Sequence, residues 1–162
     1  MDARVRQIIT EEFREAIAKC PHPRELLVHL LRAVQRENGW VPDQGVALAA
    51  DLLGIPAIEV EELATFYDKI YRRPVGRRVI HLCDSICCFT RESDEIRRHL
   101  TRRLGIEMGQ TTPDGVFTLL PTCCLGACGQ APAMQVGMTL YGDLTPEKVD
   151  RILEQERQGG KP

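Results

Sequence analysis

Two short cysteine-rich segments constrain this chain more than any other feature of its sequence. Six of its seven cysteines lie in residues 83–88, the first window, and residues 123–128, the second window. Each window can present two thiols from a tight turn, and four thiols from two loops can hold tetrahedral zinc or an iron–sulfur cluster. The same thiols can instead form disulfides or be buried as small apolar side chains. Choosing among these chemistries largely decides the function.

The rest of the composition favours a reducing compartment and so a metal or cofactor site. The N-terminus lacks the apolar core of a signal peptide, and no apolar run approaches the ~20 residues that span a bilayer. We therefore expect a cytoplasmic protein with no direct membrane insertion, in which clustered cysteines bind metal more often than they form disulfides. A net charge of −2 gives no support for nucleic-acid binding. With 162 residues, the chain has room for one domain or two small ones.

Residues 1–70 are predicted to form a helical bundle. Apolar side chains recur at helical spacing in four segments: residues 3–20, 23–38, 43–53 and 59–65. Pro23 suits the first turn of the second helix, and Asp43 is assigned as the N-cap of the third. Cys20 continues the apolar stripe of the first helix, so we interpret it as a core residue and not as a ligand. This part contains no catalytic constellation, and we expect it to serve in packing or partner docking.

Residues 75–162 are predicted to form an α/β domain with a small sheet. The order is β–α–β–β–β–α, with strands predicted near residues 77–82, 116–120, 133–136 and 139–141. Thr145 is the predicted N-cap of the last helix, and the tail at 158–162 is expected to fray. One cysteine window follows each of the first two strands, so parallel pairing of those strands would bring both windows to one end of the sheet. His81 is interpreted as an ordinary strand residue.

The spacing of the cysteines argues against one of the possible chemistries and leaves two others open. Several pairs are available within the windows: Cys83 with Cys87 or Cys88, and Cys128 with Cys123 or Cys124. No CxxC occurs, which argues against a thiol oxidoreductase. Both structural zinc and a [2Fe–2S] cluster remain compatible with these spacings, and the cluster is modestly favoured. Gly126 and Gly129 allow close backbone approach, so amide N–H groups can point at sulfur atoms and stabilise a negatively charged cluster.

The residues around the windows resemble a known family. CDSICC and TPDGVFTLLPTCCLGACGQAP are similar to the small [2Fe–2S] subunit of the NADH-oxidising module of respiratory complex I, the 24 kDa-type subunit of NADH:quinone oxidoreductase. Further upstream, the segments RENGWVPD, LLGIPAIEVEELATFYDKIYRRPVG and RRVIHLCDS resemble the same family. The likeness runs from about residue 23 to residue 145, in order and with matching spacing.

The resemblance implies a two-part α+β protein, with the helical bundle followed by a thioredoxin-like α/β ferredoxin domain that holds one [2Fe–2S] cluster. Its ligand pattern, C-x4-C followed by C-L-G-x-C, identifies four residues as ligands: Cys83, Cys88, Cys124 and Cys128. Cys87 and Cys123 then fall at non-ligand positions. Relatives often carry a glycine just after the second ligand, where this chain has Arg91, Glu92 and Ser93. No residue is expected to act as acid, base or nucleophile.

The same resemblance implies a role in single-electron transfer. The chain would dock on a larger subunit that carries FMN and binds NADH, accept single electrons from the flavin, and join through it a multi-subunit redox complex. The complex would hold the chain at the inner face of the membrane. Equivalent subunits serve NAD-linked formate dehydrogenases and bidirectional hydrogenases, which are the first alternative. A structural four-cysteine zinc module is the alternative of another class, and a thiol redox protein using Cys87 or Cys123 is a third.

Overall fold

A computed structural model describes residues 1–159, so the predicted fraying of residues 160–162 lies outside the described residues. Contacts between Cα atoms divide the chain at the Pro74–Val75 bond into an N-terminal and a C-terminal unit. None of the helices within residues 1–159 is long and apolar enough to cross a membrane.

The N-terminal unit consists of four α-helices and one 3-10 turn. The helices are α1 (Ala3–Lys19), α2 (Leu27–Asn38), α3 (Asp43–Leu53) and α4 (Ala57–Phe66), and the 3-10 turn at Pro23–Leu26 leads into α2. Each helix buries its apolar stripe in one common core, whose fully buried members include Ile9, Leu30, Leu31, Val41 and Val60. Gly39 and Gly54 end α2 and α3 in the left-handed conformation, which L side chains adopt only at a cost.

Two predictions for this unit were wrong in detail. Asp43 is the first residue of α3, and Pro42 occupies the N-cap position without a side-chain cap. The Asp43 carboxylate instead pairs with Arg72 at 2.8 Å, an interaction that sequence periodicity does not reveal. Cys20 ends α1 and is only half-buried, and its thiol donates a hydrogen bond to the His22 carbonyl at 3.2 Å. The apolar stripe therefore stops one turn before Cys20.

The C-terminal unit is a four-stranded mixed sheet with three helices. Its elements in chain order are β1 (Arg78–Cys83), α5 (Ile86–Phe89), α6 (Ser93–Leu104), β2 (Phe117–Thr122), β3 (Met134–Val136), β4 (Thr139–Tyr141) and α7 (Pro146–Gln158). The strand order is β2-β1-β3-β4, and β1 pairs parallel to β2 with Cys83 opposite Thr122. That pairing confirms the predicted arrangement, since the carboxyl ends of parallel strands share one edge.

The core of this unit explains how the sheet is held. Alternate residues of β1 and β2, among them Ile80 and Phe117, pack with Leu100 of α6 and Ile152 of α7 into one apolar cluster. The predicted cap of α7 is confirmed, because the Thr145 hydroxyl accepts the Lys148 N–H at 3.2 Å. The short helix α5 was not predicted, since four residues carry too little periodicity to detect.

Candidate functional site

The first window begins where the central strand ends. Cys83 is the last residue of β1, and its N–H donates to the Ala133 carbonyl at 3.1 Å. Cys88 lies in α5, and both cysteines are only 2% exposed. They pack with Ala131 and Ala133 in a small apolar cluster of their own. These two cysteines of the first window are thus part of the folded core.

The second window begins where the neighbouring strand ends, and it lies on the surface. Cys124 and Cys128 are exposed, and Cys128 opens a 3-10 turn. Between them Gly126 adopts φ +74°, and its N–H points at the Cys124 sulfur at 3.4 Å. This contact confirms the expectation that glycine lets an amide approach sulfur. A hydrogen bond of 3.1 Å from the Asp84 N–H to the Thr122 carbonyl ties the two windows together.

Electrostatic interactions between thiols connect the windows. The thiols of Cys83 and Cys128 both act to raise the pKa of the Cys88 thiol. The thiols of Cys87 and Cys124 act in the same way on the pKa of Cys128. All four predicted ligands therefore take part in these interactions, and Cys87 does so as well. Cys123 enters through its backbone carbonyl, 3.9 Å from the Cys83 sulfur.

These surroundings disfavour the charged forms of two of the thiols. Burial, followed by the neighbouring Cys83 thiol, raises the pKa of the Cys88 thiol to about 11, although the backbone at Ala133 opposes the rise. The neighbouring Cys87 thiol is the largest cause that raises the pKa of Cys128. Binding a metal or cluster through Cys88 and Cys128 must therefore release protons from these two thiols.

The donor set fits an iron–sulfur cluster, although the cysteines do not converge on a single point. Within residues 1–159, no three His, Cys, Asp or Glu side chains stand close enough together to hold one metal ion. Sulfur donors from two loops at one sheet edge, with an amide N–H at the Cys124 sulfur, suit a group with several soft atoms. Which four cysteines bind stays a prediction.

Apolar side chains surround the first window. Ile86 and Phe89 in α5 are 69% and 64% exposed, unusually high for large apolar residues beside a candidate site. A cleft of about 250 Å³ lies at this rim. Its lining includes Cys83, Phe89, Arg97, Met108 and Pro121. Sequence periodicity missed this rim because it depends on the unpredicted helix α5.

Two further residues noted in the sequence are located by the structure. His81 lies in β1 and is 2% exposed, which agrees with its interpretation as an ordinary strand residue. The influence of Cys87 on the Cys128 thiol, whose pKa it raises, was missed. Successive residues of a helix point about 100° apart, so the CC pair could have indicated that Cys87 and Cys88 face different neighbours.

Comparison with known proteins places the chain among iron–sulfur proteins. The family model "thioredoxin-like [2Fe-2S] ferredoxin" matches residues 13–157. An NADH-quinone oxidoreductase subunit of Pseudomonas aeruginosa is 42% identical over 153 residues, covering 92% of each chain. The subunit that bears the same name in Escherichia coli is 48% identical over 145 residues, covering 87% of each chain.

A solved structure extends the likeness to another class of complex. The crystal structure of an NAD+-reducing [NiFe]-hydrogenase in its H2-reduced state contains a chain that matches with a TM-score of 0.67 and 25% identity. The match covers 79% of this chain but only 22% of the hydrogenase chain. The chain is therefore similar to a segment of a larger redox protein.

Proposed function

Because the chain belongs to the thioredoxin-like [2Fe–2S] ferredoxin family, we propose that it is the [2Fe–2S] electron-transfer subunit of an NADH-quinone oxidoreductase. One observation carries this conclusion: relatives of that name cover most of the chain, including both cysteine windows. The chain holds one [2Fe–2S] cluster and works as a subunit of an oxidoreductase complex, with no self-contained catalytic site.

We assign the four ligands to Cys83, Cys88, Cys124 and Cys128. When bound, a [2Fe–2S] cluster accepts and releases one electron at a time. Cys83 and Cys88 hold their sulfurs inside the apolar cluster with Ala133, which keeps water from that side. The Gly126 N–H points at the sulfur of Cys124, and such a donor stabilises negative charge and raises the reduction potential.

The partner in this proposal is a larger subunit that binds FMN and NADH. The exposed second window gives such a partner close access, and Ile86 and Phe89 provide apolar contact area beside it. In the N-terminal unit, Phe66 and Tyr67 are 79% and 43% exposed and form an edge-to-face pair, which suits docking on the same complex. Attachment to that complex would hold the chain at the inner face of the membrane.

Spectroscopy of the full chain tests the proposal directly. Protein purified without oxygen should contain iron and acid-labile sulfide in equal amounts, absorb visible light, and give an EPR signal once reduced. Colourless protein that contains zinc and no labile sulfide would establish the four-cysteine zinc module instead.

Four serine variants test the ligand assignment. Cys88→Ser and Cys124→Ser each remove a proposed ligand and should lower iron content about ten-fold or more. Cys87→Ser and Cys123→Ser change the adjacent residue in each window and should keep the cluster and its EPR signal. Loss of the cluster in the second pair, with retention in the first, would overturn the assignment.

The hydrogenase likeness supports a second candidate, the equivalent electron-transfer subunit of an NAD+-reducing hydrogenase. Affinity purification from the native organism, followed by mass spectrometry, separates the two functions. Quinone-reducing subunits in the purified complex support the first, whereas nickel–iron hydrogenase subunits support the second.

A further inference from the structure

We propose that one side of α6 carries a binding site for a phosphate group, either the free ion or the phosphate of a small organic molecule. The site is a surface cleft of about 210 Å³. Its lining consists of three arginines, one threonine and one glutamate: Arg97, Arg98, Thr101, Arg102 and Glu107. None of them is a proposed cluster ligand, so binding here is independent of the proposed function.

Helical spacing brings the basic side chains together. Arg97 and Thr101 are four residues apart, as are Arg98 and Arg102, and side chains at that spacing lie one above the other on a helix. Glu107 lies in the loop beyond Gly105, which ends α6, and it completes the lining from outside the helix. The cleft is therefore formed largely by one regular helix.

The arginines of this cleft keep donors available for a ligand. Arg97 and Arg98 share the carboxylate of Asp94, at 2.7 Å and 3.3 Å, so one negative charge is divided between two guanidinium groups. Arg102 is exposed and forms no ion pair with any side chain within residues 1–159. Because only Asp94 and Glu107 oppose the three arginines, the cleft keeps an excess of positive charge.

Thr101 supplies the second observation. Its hydroxyl oxygen is shielded from solvent and has no hydrogen-bond partner in the part of the chain that the structure describes. A buried polar atom in this condition is uncommon in folded proteins. Threonine has two common rotamers in a helix, and rotation about χ1 turns the hydroxyl toward the cleft that the residue already lines. A ligand with several acceptor oxygens gives this hydroxyl a partner.

These donors fit a phosphate group better than a carboxylate. A guanidinium offers a planar fork of N–H donors that matches two oxygens of either anion. A carboxylate has only two oxygens, whereas a bound phosphate presents three strong acceptors and up to two negative charges. The cleft is smaller than the ~300–1,000 Å³ pockets that enclose drug-sized ligands, so it suits one compact group and not a whole cofactor.

Calorimetric titration of the full chain tests the proposal. The probes are inorganic phosphate and glycerol 3-phosphate, with acetate as the carboxylate control, in a buffer free of phosphate and sulfate whose ionic strength is held constant with sodium chloride. Phosphate should saturate a single site, and acetate should bind at least about ten-fold more weakly. Tighter binding of glycerol 3-phosphate identifies an organic phosphate as the ligand, and tighter binding of the inorganic ion identifies free phosphate.

Arg102→Gln and Arg151→Gln form a matched pair of variants. Each removes the charge of an exposed arginine that has no ion pair within residues 1–159, but Arg151 lies in α7 and does not line the cleft. Arg102→Gln should weaken phosphate binding about ten-fold, because a charge-assisted hydrogen bond is lost. Arg151→Gln should change the affinity by at most about two-fold.

Glu107→Gln should have the opposite effect. It removes a carboxylate that lines the cleft and repels an anion, so phosphate should bind about three-fold more tightly. A general loss of folding cannot produce a gain in affinity, which makes this variant a check on the others.

Two substitutions of Thr101 separate binding from folding. Thr101→Val replaces the hydroxyl with a methyl group and should weaken phosphate binding about five-fold, whereas Thr101→Ser keeps the hydroxyl and should stay within about two-fold of the unmodified chain. Because the hydroxyl has no partner among the described residues, Thr101→Val should not lower the midpoint of urea unfolding.

Backbone amide NMR locates the bound ion. Saturating phosphate should shift the signals of residues 97–102 and 107 more than those of any other segment. Four results overturn the proposal: binding that does not saturate, acetate binding as tight as phosphate binding, equal losses of affinity in Arg102→Gln and Arg151→Gln, or shifts spread over basic residues of the whole chain. Each would mean that the arginines of α6 form an ordinary solvated face.

Discussion

Two of the three cysteines of the first window are packed into the core of their unit, whereas all three cysteines of the second window lie on the surface. Cys83 and Cys88 are 2% exposed and contact buried alanines, and Cys83 also belongs to the central strand. Cys124 and Cys128 are exposed, and the Cys124 sulfur accepts a hydrogen bond from the Gly126 N–H. Both windows begin at the same end of one sheet. The central strand β1 ends on the buried Cys83, whereas β2 is an edge strand and its window begins only after the strand has ended.

This difference assigns separate tasks to the two halves of the site. The buried half is fixed by the same apolar packing that folds the unit, so its sulfurs are in position before any cofactor arrives. In the exposed half only Leu125 and Ala127 pack against the buried residues, while the cysteines themselves stay at the surface, so we expect binding of the iron–sulfur cluster to order their side chains. The exposed half is also the side that a redox partner can reach.

The largest expected effect concerns the reactivity of the thiols in the cluster-free protein. Cys124 and Cys128 should react with N-ethylmaleimide about 100-fold faster than Cys83 and Cys88, because the buried pair reacts only when the structure opens locally. Burial also raises the pKa of Cys88 and so reduces its reactive thiolate fraction. Timed alkylation followed by peptide mass spectrometry measures the rates. Equal rates in both windows would mean that the first window is no more rigid than the second.

A smaller contrast should appear in the stability of the cluster-free chain. Cys88→Ser buries a hydroxyl in an apolar cluster and should lower the free energy of unfolding by about 1–2 kcal/mol. Cys124→Ser changes an exposed residue and should stay within ~0.5 kcal/mol of the unmodified chain. Urea unfolding followed by circular dichroism measures both, with Cys123→Ser as the exposed control. A larger loss in Cys124→Ser would show that the second window is packed after all.

The sequence predicted the elements that leave a periodic pattern. The four N-terminal helices, the four strands and the cap at Thr145 agree with the structure to within a few residues. The family match confirms the predicted fold and cofactor. These features depend on local spacing or on motifs, both of which a single sequence displays.

The remaining features depend on contacts between distant residues. Asp43, assigned as an N-cap, is instead the first residue of α3 and pairs with Arg72. Cys87 raises the pKa of Cys128, a residue of a separate loop. The sequence also did not indicate that the two windows differ in burial, because each was predicted simply as a loop that follows a strand. Burial of Cys88 follows from α5, whose four residues show no period of their own. Tertiary packing decides such points, and local propensity does not record it.

Glu92 provides a smaller test of how firmly the first window is held. It adopts φ +64° at the start of α6, a left-handed conformation that glycine tolerates without strain. Glu92→Gly should therefore raise the free energy of unfolding by about 0.5 kcal/mol, or at least cost nothing, where an ordinary surface glycine would destabilise. Glu92→Ala keeps the Cβ atom and should give no gain. Urea unfolding of both variants measures these changes. If Glu92→Gly and Glu92→Ala lower the free energy of unfolding equally, the backbone at Glu92 is not strained.

The smallest expected effect concerns the turn that leads into β2 and so to the second window. The Thr112 hydroxyl, the Val116 N–H and Arg157 contact the Asp114 carboxylate and hold its pKa below the ordinary value. The charged form therefore stabilises the fold above about pH 4, and this contribution is lost as the pH falls through the lowered pKa. Asp114→Asn should be less stable than the unmodified chain at neutral pH, and the gap should close in acid. Urea unfolding between neutral and acidic pH measures this difference in the free energy of unfolding. If the difference does not change with pH, shape and hydrogen bonding supply the stabilisation and charge contributes nothing.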